Sequence, residues 1–442
     1  MRAKFETVES LEDILMSGVE NRTTGKEVDS KERGRQSKKI AFFGHFDSTN
    51  FGNESTLQAI LYNLRRFQPD AEVLCISTGP EAVAATHQVK AIPMVERFIG
   101  SWGPRNRLGR MLRRVCIALP AEAYQCVKCL MGLRRTHMFI VPGTGLLTDA
   151  YGFLGWGTYT LLRWSLIAKL CRCKLLLVSV GAGPIYSARG RWFVKSILSL
   201  ADFRSYRDNS TLQWLAGIGF RADKDRISPD LAFSLPEPAM PRRDAGKSPR
   251  AVVGLGVMEY AGKYSVAHPT DKIYSAYLDS LAMFAEWLLA REYEVRLLIG
   301  DLGDISAKKE FLHLLRDRIS GCHEQQLIDE PIRSVEDLLA QIAETDLVVA
   351  TRFHNVLLSL VCNKPVISIA FHHKCESLMS AMGLSEYCLN INDLKAEQLI
   401  EKFCDLERNS DEIKWSIREK TSQFRAALDQ QYKIIFNEML SS

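Results

Sequence analysis

Ile40-Ala-Phe-Phe-Gly44, followed thirty-odd residues later by Glu72-Val-Leu-Cys-Ile-Ser77, frames the stretch whose reading decides the fold. The first segment is a short apolar run closed by glycine, the pattern of a buried strand. Residues 54–67 then carry Leu57, Ile60, Leu61 and Leu64 at helical spacing, with Pro69 just beyond as a stop. Residues 72–77 read as a strand again. Strand, helix and strand joined by turns this short make a βαβ unit, and a βαβ unit implies a parallel sheet.

The alternation continues outward. His137-Met-Phe-Ile-Val141 and Lys174-Leu-Leu-Leu-Val-Ser-Val180 are strands, each followed by a glycine turn and then a helix, at 156–171 and 189–200. Residues 202–206 are a further strand. Residues 235–249 hold Pro236, Pro238, Pro241 and Pro249 among charges without an apolar pattern, which marks a domain linker. Beyond it the pattern restarts, with strands at 251–257, 294–299, 346–350 and 365–370 and helices at 273–291, 308–319 and 355–361. A chain of 442 residues also exceeds what one hydrophobic core usually serves. The expected fold is α/β, two Rossmann-like parallel-sheet domains facing across a cleft, an architecture of the GT-B type. The expected boundaries are a flexible extension at 1–37, domains at 38–235 and 250–410, and a terminal helix at 411–442.

Charge narrows the partners. The net balance of +5 is modest and does not point to nucleic acid. Residues 102–135 contain eight basic side chains against one acid, Glu122, so this segment alone exceeds the net charge of the chain. Within it Leu108, Met111, Leu112, Val115 and Leu119 recur at three- and four-residue spacing, with Arg107, Arg110, Arg113 and Arg114 between them. That is a basic amphipathic helix, which suits the surface of an anionic membrane or a domain helix with a solvated positive face. Residues 1–39 lack the apolar core of a secretory signal, and no run of about 18 apolar residues occurs. The chain is expected to be cytoplasmic, with peripheral contact at the inner membrane face. Eleven cysteines at irregular spacing suit free thiols. Cys126 and Cys129, or Cys171 and Cys173, do not form the paired set of a zinc ribbon, and no metal is expected.

In open parallel sheets ligands bind beyond the carboxyl ends of strands, where loops and helix N-termini favour anions. Five polar or glycine-rich segments occupy such positions: residues 47–54, Pro142-Gly143-Thr-Gly145, Gly181-Ala-Gly183-Pro184, Ser205-Tyr-Arg207-Asp208, and Ala350-Thr-Arg352-Phe-His354. The glycine segments taken singly fit ordinary turn geometry as well. Arg352 and His354 follow an apolar strand at once, and residues two apart in extended chain point the same way. An arginine beside a histidine suits an anion that must also receive or surrender a proton. The same spacing also fits an arginine paired to a surface carboxylate and a histidine capping a helix.

Taken together, Asn50-Phe-Gly52 with Asn53-Glu54, Pro142-Gly-Thr-Gly145, Val180-Gly-Ala-Gly-Pro184, Ser205-Tyr-Arg-Asp208, Thr351-Arg-Phe-His354, Cys362-Asn-Lys-Pro365 and the later Lys374 resemble the motif series of the polysaccharide pyruvyl transferases. The similarity runs over residues 40–389. The resemblance implies a transferase of exopolysaccharide biosynthesis that places pyruvate from phosphoenolpyruvate on a sugar, or on its lipid-linked precursor, as a ketal. Phosphoenolpyruvate is then a co-substrate and no cofactor is implied. Arg207, Arg352 and His354 match the family's donor-site residues, with His354 the candidate general acid. Asn50, Gly143, Gly145, Gly183 and Lys374 join them as substrate-binding positions. The family usually has Asn-x-Gly-Asp where this chain has Asn53, so a carboxylate base is expected from Glu54 or Asp47. Two other readings share the architecture: a glycosyltransferase using a nucleotide sugar, and a non-catalytic sugar-binding protein.

Overall fold

The computed structural model describes residues 37–96, 117–149, 157–222, 225–236, 250–260 and 270–440, leaving aside positions 48, 144 and 320. The extension read at 1–37, the linker read at 235–249 and the amphipathic helix read at 108–119 lie almost wholly outside these residues.

The first sheet is built from β1 (Lys39–Gly44), β2 (Glu72–Ser77), β3 (Lys90–Pro93), β4 (Met138–Pro142), β5 (Lys174–Val180), β6 (Phe203–Tyr206) and β7 (Arg226–Ile227). Its helices are α1 (Phe51–Phe67), α2 (Pro80–His87), α3 (Leu119–Leu133), α4 (Thr158–Leu170), α5 (Ala188–Leu200) and α6 (Asn209–Gly217). The strands run in the order β3-β2-β1-β4-β5-β6-β7, all parallel. Side chains alternate between two cores, as a strand's period of two dictates. Ile40 and Phe42 of β1 pack with Leu57, Ile60 and Leu64 of α1, while Ala41 and Phe43 pack with Trp164 of α4. Both faces are therefore covered, as a parallel sheet requires.

The second sheet is made of β8 (Val252–Gly256), β9 (Glu294–Leu298), β10 (Leu327–Ile328), β11 (Leu347–Ala350), β12 (Val366–Ala370) and β13 (Cys388–Asn390). They pair in the order β10-β9-β8-β11-β12-β13, again all parallel. Around it lie α7 (Thr270–Leu289), α8 (Ile305–Arg316), α9 (Val335–Ala343), α10 (Phe353–Val361), α11 (His373–Ala381) and α12 (Ala396–Arg408). Both sheets thus follow the doubly wound order in which the first strand is central and the sequence direction reverses beside it.

The terminal helix α13 (Ser410–Lys433) returns to the first sheet and ends in a π-helical turn, Ile434–Met439, where the sequence reading expected one continuous α-helix. Gln431 Nε2 donates to Ser179 Oγ at 3.1 Å, and the hydroxyls of Tyr432 and Ser234 share a hydrogen bond of 2.9 Å. The two sheets also meet at their carboxyl ends. Asn50 Nδ2 donates to Asp301 Oδ2 at 2.8 Å, Phe51 N to the Gly300 carbonyl at 3.1 Å, and Leu302 N to the Thr49 carbonyl at 2.9 Å. Among the described residues, no helix is long and apolar enough to cross a membrane.

Candidate active site

The segments that follow β1, β4, β6, β9, β11 and β12 converge on one cavity of about 160 Å³. Asn50 and Asn53 come from the start of α1, Gly143 and Gly145 from the turn after β4, and Arg207 from the end of β6. The second sheet contributes Gly300, then Arg352, Phe353 and His354 at the start of α10, and His372, Lys374 and Cys375 at the start of α11. Three helix N-termini therefore face the same small space, with their partial positive charge turned inward. Arg207, Arg352 and Lys374 add three cations, and no carboxylate occurs among the described lining residues.

Both arginines are held from behind. Arg352 Nε donates to Asp304 Oδ2 at 2.9 Å and Arg352 Nη2 to Oδ1 at 2.5 Å. Asp304 is fully buried and also accepts from the Glu259 N–H at 3.0 Å. Burial raises its carboxyl above the ordinary value, and the Arg352 charge opposes that rise. Arg207 donates through Nη1 to Asp230 Oδ2 at 3.2 Å and through Nε to Asp208 Oδ2 at 3.3 Å. Its guanidinium carbon stands 5.0 Å from the centroid of the Phe353 ring. Lys374 sits near Gly145, where an added Cβ would come within 3.1 Å of Nζ. Burial, followed by repulsion from Arg207, brings the Lys374 ammonium down to about 7.

His354 is packed against bare backbone. A Cβ placed on Gly52 would lie 2.0 Å from His354 Nδ1, so only glycine permits α1 to approach α10 at this point. The other ring nitrogen, Nε2, is shielded from solvent and has no hydrogen-bond partner among the described residues. Burial, reinforced by Arg207 and Lys374 and opposed by Asp230, pulls the imidazole down to about 4 from its ordinary 6.5. In the ligand-free protein it is neutral at physiological pH. A dianion placed among these cations offsets the repulsion from Arg207 and Lys374 and so favours the protonated ring, against the burial that remains.

The residues singled out in the sequence separate here. Arg207, Arg352, His354, Lys374, Asn50, Asn53, Gly143 and Gly145 are brought together around the cavity. Asn50 has structural work as well: it caps α1, accepting from the Gly52 and Asn53 N–H groups at 3.1 Å each. That cap is why α1 begins at Phe51 and not at residue 54. Glu54 does not line the cavity. One residue further along the helix it is turned about 100° from Asn53, and its carboxylate meets His87 Nε2 of α2 at 2.8 Å. Asp47 is likewise not a lining residue, and Oδ1 closes a turn on Thr49 N at 3.1 Å. Gly183 is not among them either. With φ +88° it lets the chain pass Trp214, whose Cγ would stand 2.6 Å from an added Cβ. Asp304, Asp230, Phe353 and His372 escaped the sequence reading. For Asp304 a signal was present in Gly300-Asp-Leu-Gly-Asp304, a glycine–aspartate turn directly after an apolar strand.

Two doubly wound parallel sheets with a cationic cavity at their facing carboxyl ends define a protein of the GT-B class. Its fold is similar to Anabaena Alr3699/HepE in complex with UDP, over 91% of this chain and 99% of that one, with a TM-score of 0.55 and 12% identity. It is also similar to a UDP-GlcNAc 2-epimerase from Neisseria meningitidis bound to UDP-GlcNAc, over 92% and 100% of the two chains, with a TM-score of 0.54 and 11% identity. Within that class, residues 50–373 match the polysaccharide pyruvyl transferases, and the chain belongs to this family of transferases. The amylovoran biosynthesis protein AmsJ of Erwinia amylovora is 20% identical over 417 residues, 88% of this chain and 96% of that protein.

Proposed function

We propose that this protein transfers the pyruvyl group of phosphoenolpyruvate to two hydroxyls of an acceptor sugar, forming a ketal in the assembly of an exopolysaccharide. The observation that carries the reading is the small cavity lined by Arg207, Arg352 and Lys374, three helix N-termini and the buried imidazole of His354. Phosphoenolpyruvate has a phosphate at one end and a carboxylate at the other, and two guanidinium groups suit them as a clamp. His354 delivers a proton to the methylene carbon, leaving an oxocarbenium-like centre that one acceptor hydroxyl attacks. The second hydroxyl then displaces phosphate. Of the two hydroxyl protons, one replaces the proton spent by His354 and the other leaves with the phosphate. Asn53 stands where the family has an aspartate and cannot serve as base, and Asn50 and Lys374 complete the polar lining.

The reading extends to a lipid-linked acceptor and to membrane contact through residues 102–135. Its support is the basic charge of that segment, together with exposed Val127, Leu130 and Met131 on α3 beside exposed Arg134 and Arg135.

Incubation with phosphoenolpyruvate and a panel of lipid-linked and nucleotide sugars, followed by phosphate release, tests the central claim. Phosphate is expected only when donor and a suitable acceptor are both present. A protein that ignores phosphoenolpyruvate but binds UDP tightly is a nucleotide-sugar enzyme instead.

A further inference from the structure

A second cavity, of about 640 Å³, opens beside the first and shares Arg207, Phe353 and Lys374 with it. The two differ in charge. To the two shared cations the larger cavity adds Asp208 and Asp230, both engaged by Arg207, and the exposed carboxylate of Glu376. They also differ in surface. Ile227, Pro229, Phe233, Leu378 and Phe424 make most of the larger cavity apolar. Its aromatic rings are fixed from outside. Phe424 of α13 packs edge-on against buried Phe233 with centroids 5.0 Å apart, and Phe353 is backed by the Arg207 guanidinium.

Held aromatic rings with carboxylates at their margin suit a pyranose. Its C–H face packs on the ring and its hydroxyls reach polar groups at the margin such as Glu376 and Ser377. We propose that the larger cavity holds the acceptor as an uncharged glycosyl unit, with its apolar face on Phe353 and Phe424. Its hydroxyl pair is turned toward Arg207 and Lys374, where the small cavity begins. The proposal rests on the pyruvyl-transfer reading and adds the acceptor's class and place. Anion and neutral sugar are sorted by surface: the cationic cavity draws the donor, while the apolar walls and the Glu376 carboxylate of its neighbour disfavour a nucleoside diphosphate. The sugar therefore enters without a nucleotide.

The test uses two variants on α13, away from the small cavity. Ala427→Trp fills the larger cavity from an exposed helix position, and Phe424→Ala removes one platform. Saturation-transfer NMR with methyl hexopyranosides reads sugar contact directly, and calorimetry reads phosphoenolpyruvate affinity. The wild type is expected to saturate the ring protons of at least one methyl hexopyranoside. Phe424→Ala is expected to weaken that contact by about tenfold, the worth of one aromatic packing contact, and Ala427→Trp to abolish it by occupying the space, both with donor affinity unchanged. UDP-hexose is expected not to displace the glycoside. Equal saturation in Ala427→Trp and wild type, no saturation in the wild type, or displacement by UDP-hexose each overturns the proposal. Glycoside contact that Ala427→Trp abolishes, in a protein that does not bind phosphoenolpyruvate, keeps the sugar site and removes the transfer reading.

Discussion

Asp304 fixes the direction of Arg352 by meeting it at two points, through Nε at 2.9 Å and Nη2 at 2.5 Å, from a position with no solvent exposure. A guanidinium held this way presents its remaining N–H groups to the cavity in one orientation. Asp304→Asn keeps the shape and removes the charge. Phosphoenolpyruvate binding is expected to weaken by about 1.5–3 kcal/mol, the range of a charge-assisted hydrogen bond. Arg207→Ala and Arg352→Ala are expected to weaken it by roughly 2–4 kcal/mol, since each leaves a desolvated anionic group without its partner. Calorimetric titration decides this. Donor affinity unchanged in all three variants removes the clamp.

Gly52 and His354 face each other where α1 meets α10, and the space between them has no room for a methyl group. Gly52→Ala is expected to displace the imidazole and lower turnover more than donor affinity. The same substitution favours an isolated helix by roughly 0.5–1 kcal/mol, so a rise in melting temperature with full activity would show that the ring can move freely.

The His354 imidazole lies at about 4 in the folded chain against an ordinary 6.5, and His372 at about 3. Between those values the unfolded chain binds protons that the folded one refuses, so stability rises with pH through this window. The contribution is complete above the ordinary value and is lost as pH falls through about 4 for His354. His354→Gln is expected to flatten the dependence of melting temperature on pH between these limits. It is also expected to lower turnover by at least about 100-fold, as loss of a general acid does. Phosphoenolpyruvate binding near pH 6 should take up more protons in the wild type than in the variant, where Lys374 is still left to gain them, visible as a difference in buffer-dependent binding enthalpy. Normal turnover at saturating donor in the variant makes His354 a phosphate ligand only.

Sedimentation with vesicles tests the basic segment. Recovery is expected to rise with anionic lipid and fall with salt. It is expected to drop when Arg110, Arg113 and Arg114 become Gln, at about 1 kcal/mol of attraction for each charge. Equal recovery with neutral and anionic vesicles ends that idea.

Much of this molecule is written in short-range pattern. The runs of β1, β4, β5 and β11 are apolar on both faces, and the first three end at or next to a glycine, so their strands, and the parallel order they imply, follow from the chain itself. Arg352 and His354 are legible for the same reason, standing immediately beyond such a run. Short polar strands were not: β3 and β7 are recognisable only by the neighbour they pair with. The choice between Asn53 and Glu54 depends on helical phase, which the Asn50 cap sets and a helix read from residue 54 does not give. Asp304 lies in a glycine–aspartate turn that by composition belongs in solvent. Its burial goes with Arg352 and the Glu259 and Gly300 N–H groups that surround its carboxylate, a tertiary fact without a local signature.

The hydrogen bonds that join Thr49, Asn50 and Phe51 to Gly300, Asp301 and Leu302 cross from one sheet to the other beside the cations. The two walls of the donor cavity are consequently at working distance before any ligand arrives. Association then carries little entropic penalty for bringing them together, and donor affinity reports the direct contacts of a preorganised receptor.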